Sequence, residues 1–156
     1  MLLRALIAFL TLPGVFAGII PALIVHHDPQ RRIGLPTGYT LIALGLFFLL
    51  WCVRDFLVSG RGTLAPWDPP KRLVIVGLYR FTRNPMYVAI TLLLCGWIFA
   101  SGSIWLACYT FVLVAGFHLR VVFHEEPRLQ KLFGEEWRRY SASVPRWFLR
   151  RPAGKD

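Results

Sequence analysis

Four apolar stretches, at about 2–25, 37–58, 85–100 and 104–123, set what this chain can fold into. Each approaches the roughly 20 residues that an α-helix needs to cross the hydrocarbon core of a bilayer. Backbone polar groups in lipid must be satisfied inside the spanning segment, which at this length means a helix. The pattern predicts an all-α integral membrane bundle of about four transmembrane helices. The third stretch is the shortest: either it gains length from Met86 and Tyr87 sitting in the interface, or it only just crosses. The first begins like a signal peptide at Met1-Leu2-Leu3-Arg4, but its apolar run continues to Val25 and further spans follow, so it reads as a retained helix. Composition agrees: 56% of residues are hydrophobic and 17% charged, against about a quarter charged in soluble domains. The 156 residues read as one domain: two N-terminal spans (1–58), a connector (59–84), a helical hairpin (85–123), and a cap and tail (124–156).

The net charge of +10 sits beside apolar spans, where flanking cations belong, rather than forming a nucleic-acid footprint. The turn Ser101-Gly102-Ser103 carries no charge, so spans three and four are antiparallel neighbours. The loop after span one carries Arg31 and Arg32. The segment between spans two and three carries Arg61, Lys71, Arg72, Arg80 and Arg83, and the tail is richer still. This asymmetry predicts that both termini and the middle segment face the cytoplasm, in the inner membrane. Trp51, Trp67, Trp105, Trp137 and Trp147 lie near span ends, as interfacial anchors do.

Pro13 and Pro21 predict a bend in the first helix rather than a break. Gly14 and Gly18, four apart, form a small-residue face that either packs closely on a neighbour or is ordinary membrane-helix glycine. No regular element runs through the Gly- and Pro-rich stretch 60–70. After span four, Pro127 is placed to start a new helix with Glu125 and Glu126 at its positive end. Leu129, Leu132, Phe133, Trp137 and Tyr140 recur at helical spacing opposite Arg128, Lys131, Glu135, Arg138 and Arg139, predicting a C-terminal amphipathic helix on the cytoplasmic interface.

The chemistry-bearing residues cluster at the hairpin's mouth. Gly77 to Tyr87 supplies two arginines, two tyrosines and an Asn84-Pro85 corner; Glu125 and Glu126 follow the hairpin. A hairpin returns to the face it left, so these distant stretches are expected to meet. The acids either complement a helix end and pair with arginines, or hold the amino group or ribose hydroxyls of a nucleotide-like ligand. Tyr79 and Tyr87 are either interfacial or offer aromatic faces to a cation such as a sulfonium. Asn84-Pro85 starts span three with free N–H groups suited to an anion. Arg120, within the last turns of span four where an unpaired cation is expensive, is a stronger candidate for a functional or paired residue than any loop arginine. His26, His27, His118 and His124 make no metal pattern, and Cys52, Cys95 and Cys108 read as small buried hydrophobes. Neither a phosphate loop nor a dinucleotide fingerprint is present.

The ordered set Arg83-Asn84-Pro85-Met86-Tyr87, Glu125-Glu126-Pro127 with Leu129, Phe133-Gly134-Glu135-Glu136-Trp137 with Tyr140, and Val144-Pro145-Arg146 resembles the isoprenylcysteine carboxyl methyltransferase family. Phospholipid N-methyltransferases look similar in their Asn-Pro-Met-Tyr and Glu-Glu elements. The resemblance covers about Lys71 to Trp147. It implies S-adenosylmethionine bound beneath a C-terminal cap. The implied contacts are Arg72, Leu73, Val74, Tyr79, Asn84, Pro85, Met86, Tyr87 and Glu125, with Glu126 beside them. Arg83 and Arg120 fall on the acceptor side. Two positions depart from the eukaryotic enzymes, which carry histidine where Asn84 stands and arginine where Val121 stands. The implied activity is methyl transfer to a lipophilic acceptor, isoprenylcysteine carboxylate-like or phospholipid-like, among membrane lipids. The rival enzyme reading is an NADPH-dependent reductase of the steroid-reductase type, whose chains are generally longer. The rival non-enzyme reading, an accessory membrane protein, predicts that alanine at Tyr87 and Glu125 changes nothing.

Overall fold

The computed structural model describes residues 10–30, 32, 34–60 and 72–148. The expectations for residues 1–9, Arg31, 61–71 and the residues past 148 lie outside these. The described residues form helices and no strand. In chain order they are a π-helical segment Leu10–Ile19, α1 (Ile20–His27), α2 (Thr37–Gly60), a 3-10 turn Gly77–Arg80, α3 (Pro85–Ser101), α4 (Ile104–Arg120), a π turn Val121–Glu125 and α5 (Glu126–Ser143). Two helical stretches are long and apolar enough to cross a membrane, Thr37–Ser59 and Ile104–Ser143; Pro13–His27 and Pro85–Ser101 are shorter. Phe47, Phe111, Val112, Leu119 and Phe123 stand exposed along the long pair, an apolar surface suited to lipid.

The first helix changes winding at its prolines and stays helical, with Ile19 at φ −65°, ψ −51°. Pro21 has no N–H to give to the carbonyls one turn back. Trp97 Nε1 donates to the Ala17 carbonyl at 3.2 Å and the Tyr109 hydroxyl to that of Phe16 at 2.7 Å. Neighbouring helices thus satisfy the groups that the proline frees.

The closest helix packing is between α2 and α3, antiparallel. A methyl group on Gly45 would sit 2.6 Å from the Leu93 nitrogen, and one on Gly96 would sit 2.6 Å from the Ile42 nitrogen. Gly38 opposes the Ala100 backbone. These small residues let backbones touch where no water-driven collapse operates. Gly18 does not take part: a methyl there would meet nothing within 4 Å. Close approach is therefore a property of α2 and α3, not of the Gly18 face. Leu49, Ala89, Ile90, Leu93, Leu94 and Ala17 fill the core beside this seam.

At the far end, Ser103 caps α4 through the Leu106 N–H (3.4 Å) and donates its hydroxyl to buried Asp28. Asp28 also accepts the Gln30 N–H at 2.9 Å. Ser103→Ala removes cap and partner together, and unfolding in detergent is expected to show a loss of about 1–2 kcal/mol.

Two expectations for the C-terminal region need correction. Pro127 stands in the first turn of α5, as expected, but α5 is not separate from α4. Arg120, Val121, Glu125 and Glu126 all keep right-handed helical angles, and the Glu126 N–H reaches the Val121 carbonyl. The π turn carries the helical backbone from α4 into α5, so the acids face no free helix start. The amphipathic stretch is also not one helix, because Gly134 (φ 50°, ψ −115°) breaks it. Trp137 and Tyr140 are buried with Val144 against Leu73, Leu129 and Phe133, whereas Leu132 is exposed.

Candidate functional site

Tyr87 and Glu125 lie 38 positions apart in sequence, one in the first turn of α3 and the other at the end of the π turn. The hairpin brings them into contact. The Tyr87 hydroxyl donates to Glu125 Oε1 at 2.5 Å, and Arg120 Nε donates to the same oxygen at 2.8 Å. Arg120, expected to be a functional or paired residue, has a partner. The Tyr87 ring packs on Phe117 (centroids 4.5 Å apart) and meets Trp147 nearly edge-on at 6.4 Å. An acid, a cation and three aromatic rings converge in partly buried space.

A second ion cluster adjoins it. Arg146 forks onto Glu126, with Nε to Oε1 and Nη2 to Oε2, both at 2.8 Å. Arg83 Nη1 reaches Glu126 Oε1 at 2.9 Å, with both side chains largely buried (13% and 17% exposed). The Arg83 guanidinium also lies 5.7 Å over the Trp137 ring. Its Nε is buried with no hydrogen-bond partner. Burial pulls the Arg83 pKa down, opposed by Glu126, while the hydrogen bond to Glu126 raises that of Arg146.

Behind these clusters, Val74 and Tyr79 are buried with Cys52 against Phe56, Leu78 and Met86. Burial raises the Tyr79 phenol well above its ordinary pKa, so it stays neutral. The Tyr140 hydroxyl donates to the Tyr79 carbonyl at 2.7 Å, tying the 3-10 turn to α5. Pro85 is buried at the start of α3, and Arg72 is exposed beside Leu73. Asn84 does not cap α3; its amide donates to the Arg146 carbonyl at 3.1 Å. The expected contacts thus surround one corner, but not as equals. Tyr87, Glu125 and Arg120 touch one another, Glu126 and Arg83 share a second cluster, and Leu73, Val74 and Tyr79 pack behind.

Arg146, Trp147, Phe117 and Asp55 join these clusters or pack beside them without a motif in the sequence that gives them a site role. Arg146 stands in the Val-Pro-Arg element and resembled one more flanking cation. Asp55 is the acid within the second apolar stretch and is buried (8% exposed). Its carboxylate presses on Gly77 at φ 55°, where any side chain would collide with it. That isolated acid in an apolar run was the available signal. A cavity of about 420 Å³ lies on the exposed side of α5, lined by Ile75, Glu135, Glu136, Arg139, Tyr140 and Ser143. None of the expected contacts lines it, and the convergence of charge and aromatic faces is at Tyr87 and Glu125.

A family model described as phospholipid methyltransferase matches residues 33–136. The match includes Tyr87, Glu125 and Glu126, and ends before Arg146. No curated protein and no solved structure matches the chain.

Proposed function

The chain belongs to the phospholipid methyltransferase family, and from that membership we propose that it is an integral, multi-pass membrane methyltransferase that uses S-adenosylmethionine on a lipophilic acceptor. The observation that carries this reading is the Tyr87–Glu125–Arg120 contact closed across the hairpin.

The groups at this corner suit the cofactor's own chemistry. Tyr87 and Trp147 offer ring faces to a sulfonium. Glu125 is an acceptor for an ammonium or ribose hydroxyls. Arg72, Leu73, Val74, Tyr79, Asn84, Pro85 and Met86 complete the proposed cofactor side, with Glu126 beside it. Arg120, whose side chain is about half exposed at the end of α4, stands with Arg83 on the acceptor side. S-adenosylmethionine supplies an electrophilic methyl group when bound. The protein's part is to align the acceptor at near-attack distance and keep water out, tasks that require no dedicated base when the acceptor is already nucleophilic. In this reading four helical segments cross the inner membrane, both termini are cytoplasmic, and the cap lies on the cytoplasmic interface. The cofactor enters from water and the acceptor from lipid.

Proteoliposomes given S-adenosylmethionine labelled in its methyl group are expected to transfer label to organic-extractable material. Binding of NADPH with no transfer and no binding of S-adenosylhomocysteine would favour the reductase reading instead.

A further inference from the structure

The chain leaves α5 at Val144, whose backbone is extended (φ −116°, ψ 126°), and residues 144–147 then cross the hairpin's mouth as an irregular strap. The 82–84 corner holds the strap's backbone: the Arg83 N–H donates to the Pro145 carbonyl at 2.9 Å, and the Thr82 hydroxyl to the Arg146 carbonyl at 3.0 Å, beside the Asn84 amide. Trp147 Nε1 donates to His118 Nδ1 at 3.1 Å, which lays the indole against Tyr87. The one side-chain ion lock on the strap among the described residues is the Arg146 fork on Glu126.

We infer that the adjacent acids have divided tasks: Glu126 is a positioning residue that latches this strap over the site, and Glu125 faces the ligand. This rests on reading the corner as the S-adenosylmethionine site. Glu126 spends both oxygens on two guanidiniums, leaving little for a ligand. The described contacts of Glu125 all fall on Oε1. Asn84, likewise, holds the strap through its amide. Lifting Trp147 from Tyr87 requires breaking the Arg146 fork, so the latch sets how fast a ligand enters and leaves.

The test uses the full chain in detergent or nanodiscs, with hydrogen exchange of the peptide covering 144–148 and stopped-flow binding of S-adenosylhomocysteine. Glu126→Gln, which keeps the side chain's shape, is expected to speed exchange of the strap by about tenfold or more, and Arg146→Gln to do the same, while Glu125→Gln leaves it unchanged. Glu126→Gln is also expected to raise the association and dissociation rates together, by about tenfold, with little change in Kd; Glu125→Gln should raise Kd by about tenfold at an unchanged association rate. A faster association rate is not something that general structural damage produces. Unchanged exchange in both latch variants, or a Glu126→Gln variant that loses affinity at an unaltered association rate, would overturn the inference. The exchange arm needs no ligand: a parent that fails to bind S-adenosylhomocysteine would count against the proposed function, and the latch would then stand or fall on exchange alone.

Discussion

Gly45→Leu is expected to unfold the protein or to cost more than about 3 kcal/mol in a detergent or SDS titration. The reason is where the new atoms would go. Even the first added carbon would sit 2.6 Å from the Leu93 nitrogen and 2.8 Å from its Cα. Those are backbone atoms of α3 and cannot rotate aside as a side-chain tip does. The helices must separate, and with them goes the packing of Leu49, Leu93 and Leu94. Lipid offers no compensating hydrophobic drive, because its tails are as apolar as the side chains being parted. Gly18→Ala, in an equally apolar helix, provides the contrast. Its surroundings are open, so its stability is expected to stay within about 0.5 kcal/mol of the parent. Similar losses at both glycines would refute the seam as the organising contact.

The second large effect is expected from Glu126→Ala. The carboxylate is the shared partner of Arg83 and Arg146, its one negative charge set between two positive ones. Removing one partner from a largely buried pair leaves uncompensated charge, at a typical cost of about 3–5 kcal/mol. Arg146, one-third exposed, can turn to water, and Arg83, 13% exposed, cannot. The loss is therefore expected near the lower end, about 3 kcal/mol, carried mainly by Arg83. Adding Arg83→Met should recover much of it, since an apolar side chain needs no counter-ion. A double variant no more stable than Glu126→Ala alone would show that the loss comes from somewhere else. The spectroscopic midpoint of thermal unfolding in one detergent suffices for the comparison.

The helices were legible because apolar length and punctuation are local. The second, third and fourth stretches became α2, α3 and α4, and Pro85 and Ser103 start helices as such residues do. The meeting of Tyr87 with Glu125 followed from hairpin logic. The C-terminal rod did not follow. Pro127 reads as a helix start and does lie in the first turn of α5, but the π turn that joins α5 to α4 shows only in the folded backbone. Gly134 broke a spacing that a wheel of Leu129, Leu132 and Phe133 treats as continuous. The role of Arg146 went unassigned for a different reason. A cation beside a membrane has an adequate local explanation in flanking charge, and its pairing with Glu126 20 positions away depends on a turn after Ser143 that no periodicity encodes. Asp28 and Asp55 show the same limit: each is buried by partners distant in sequence.

Isothermal titration of the purified chain with S-adenosylhomocysteine, repeated with Glu125→Ala, puts the cofactor site to its most direct test. The parent should bind with a measurable heat. The variant, deprived of a charged acceptor beside Tyr87 and Arg120, should bind about 10- to 100-fold more weakly. Equal affinities for the two proteins would place the ligand elsewhere and contradict the account.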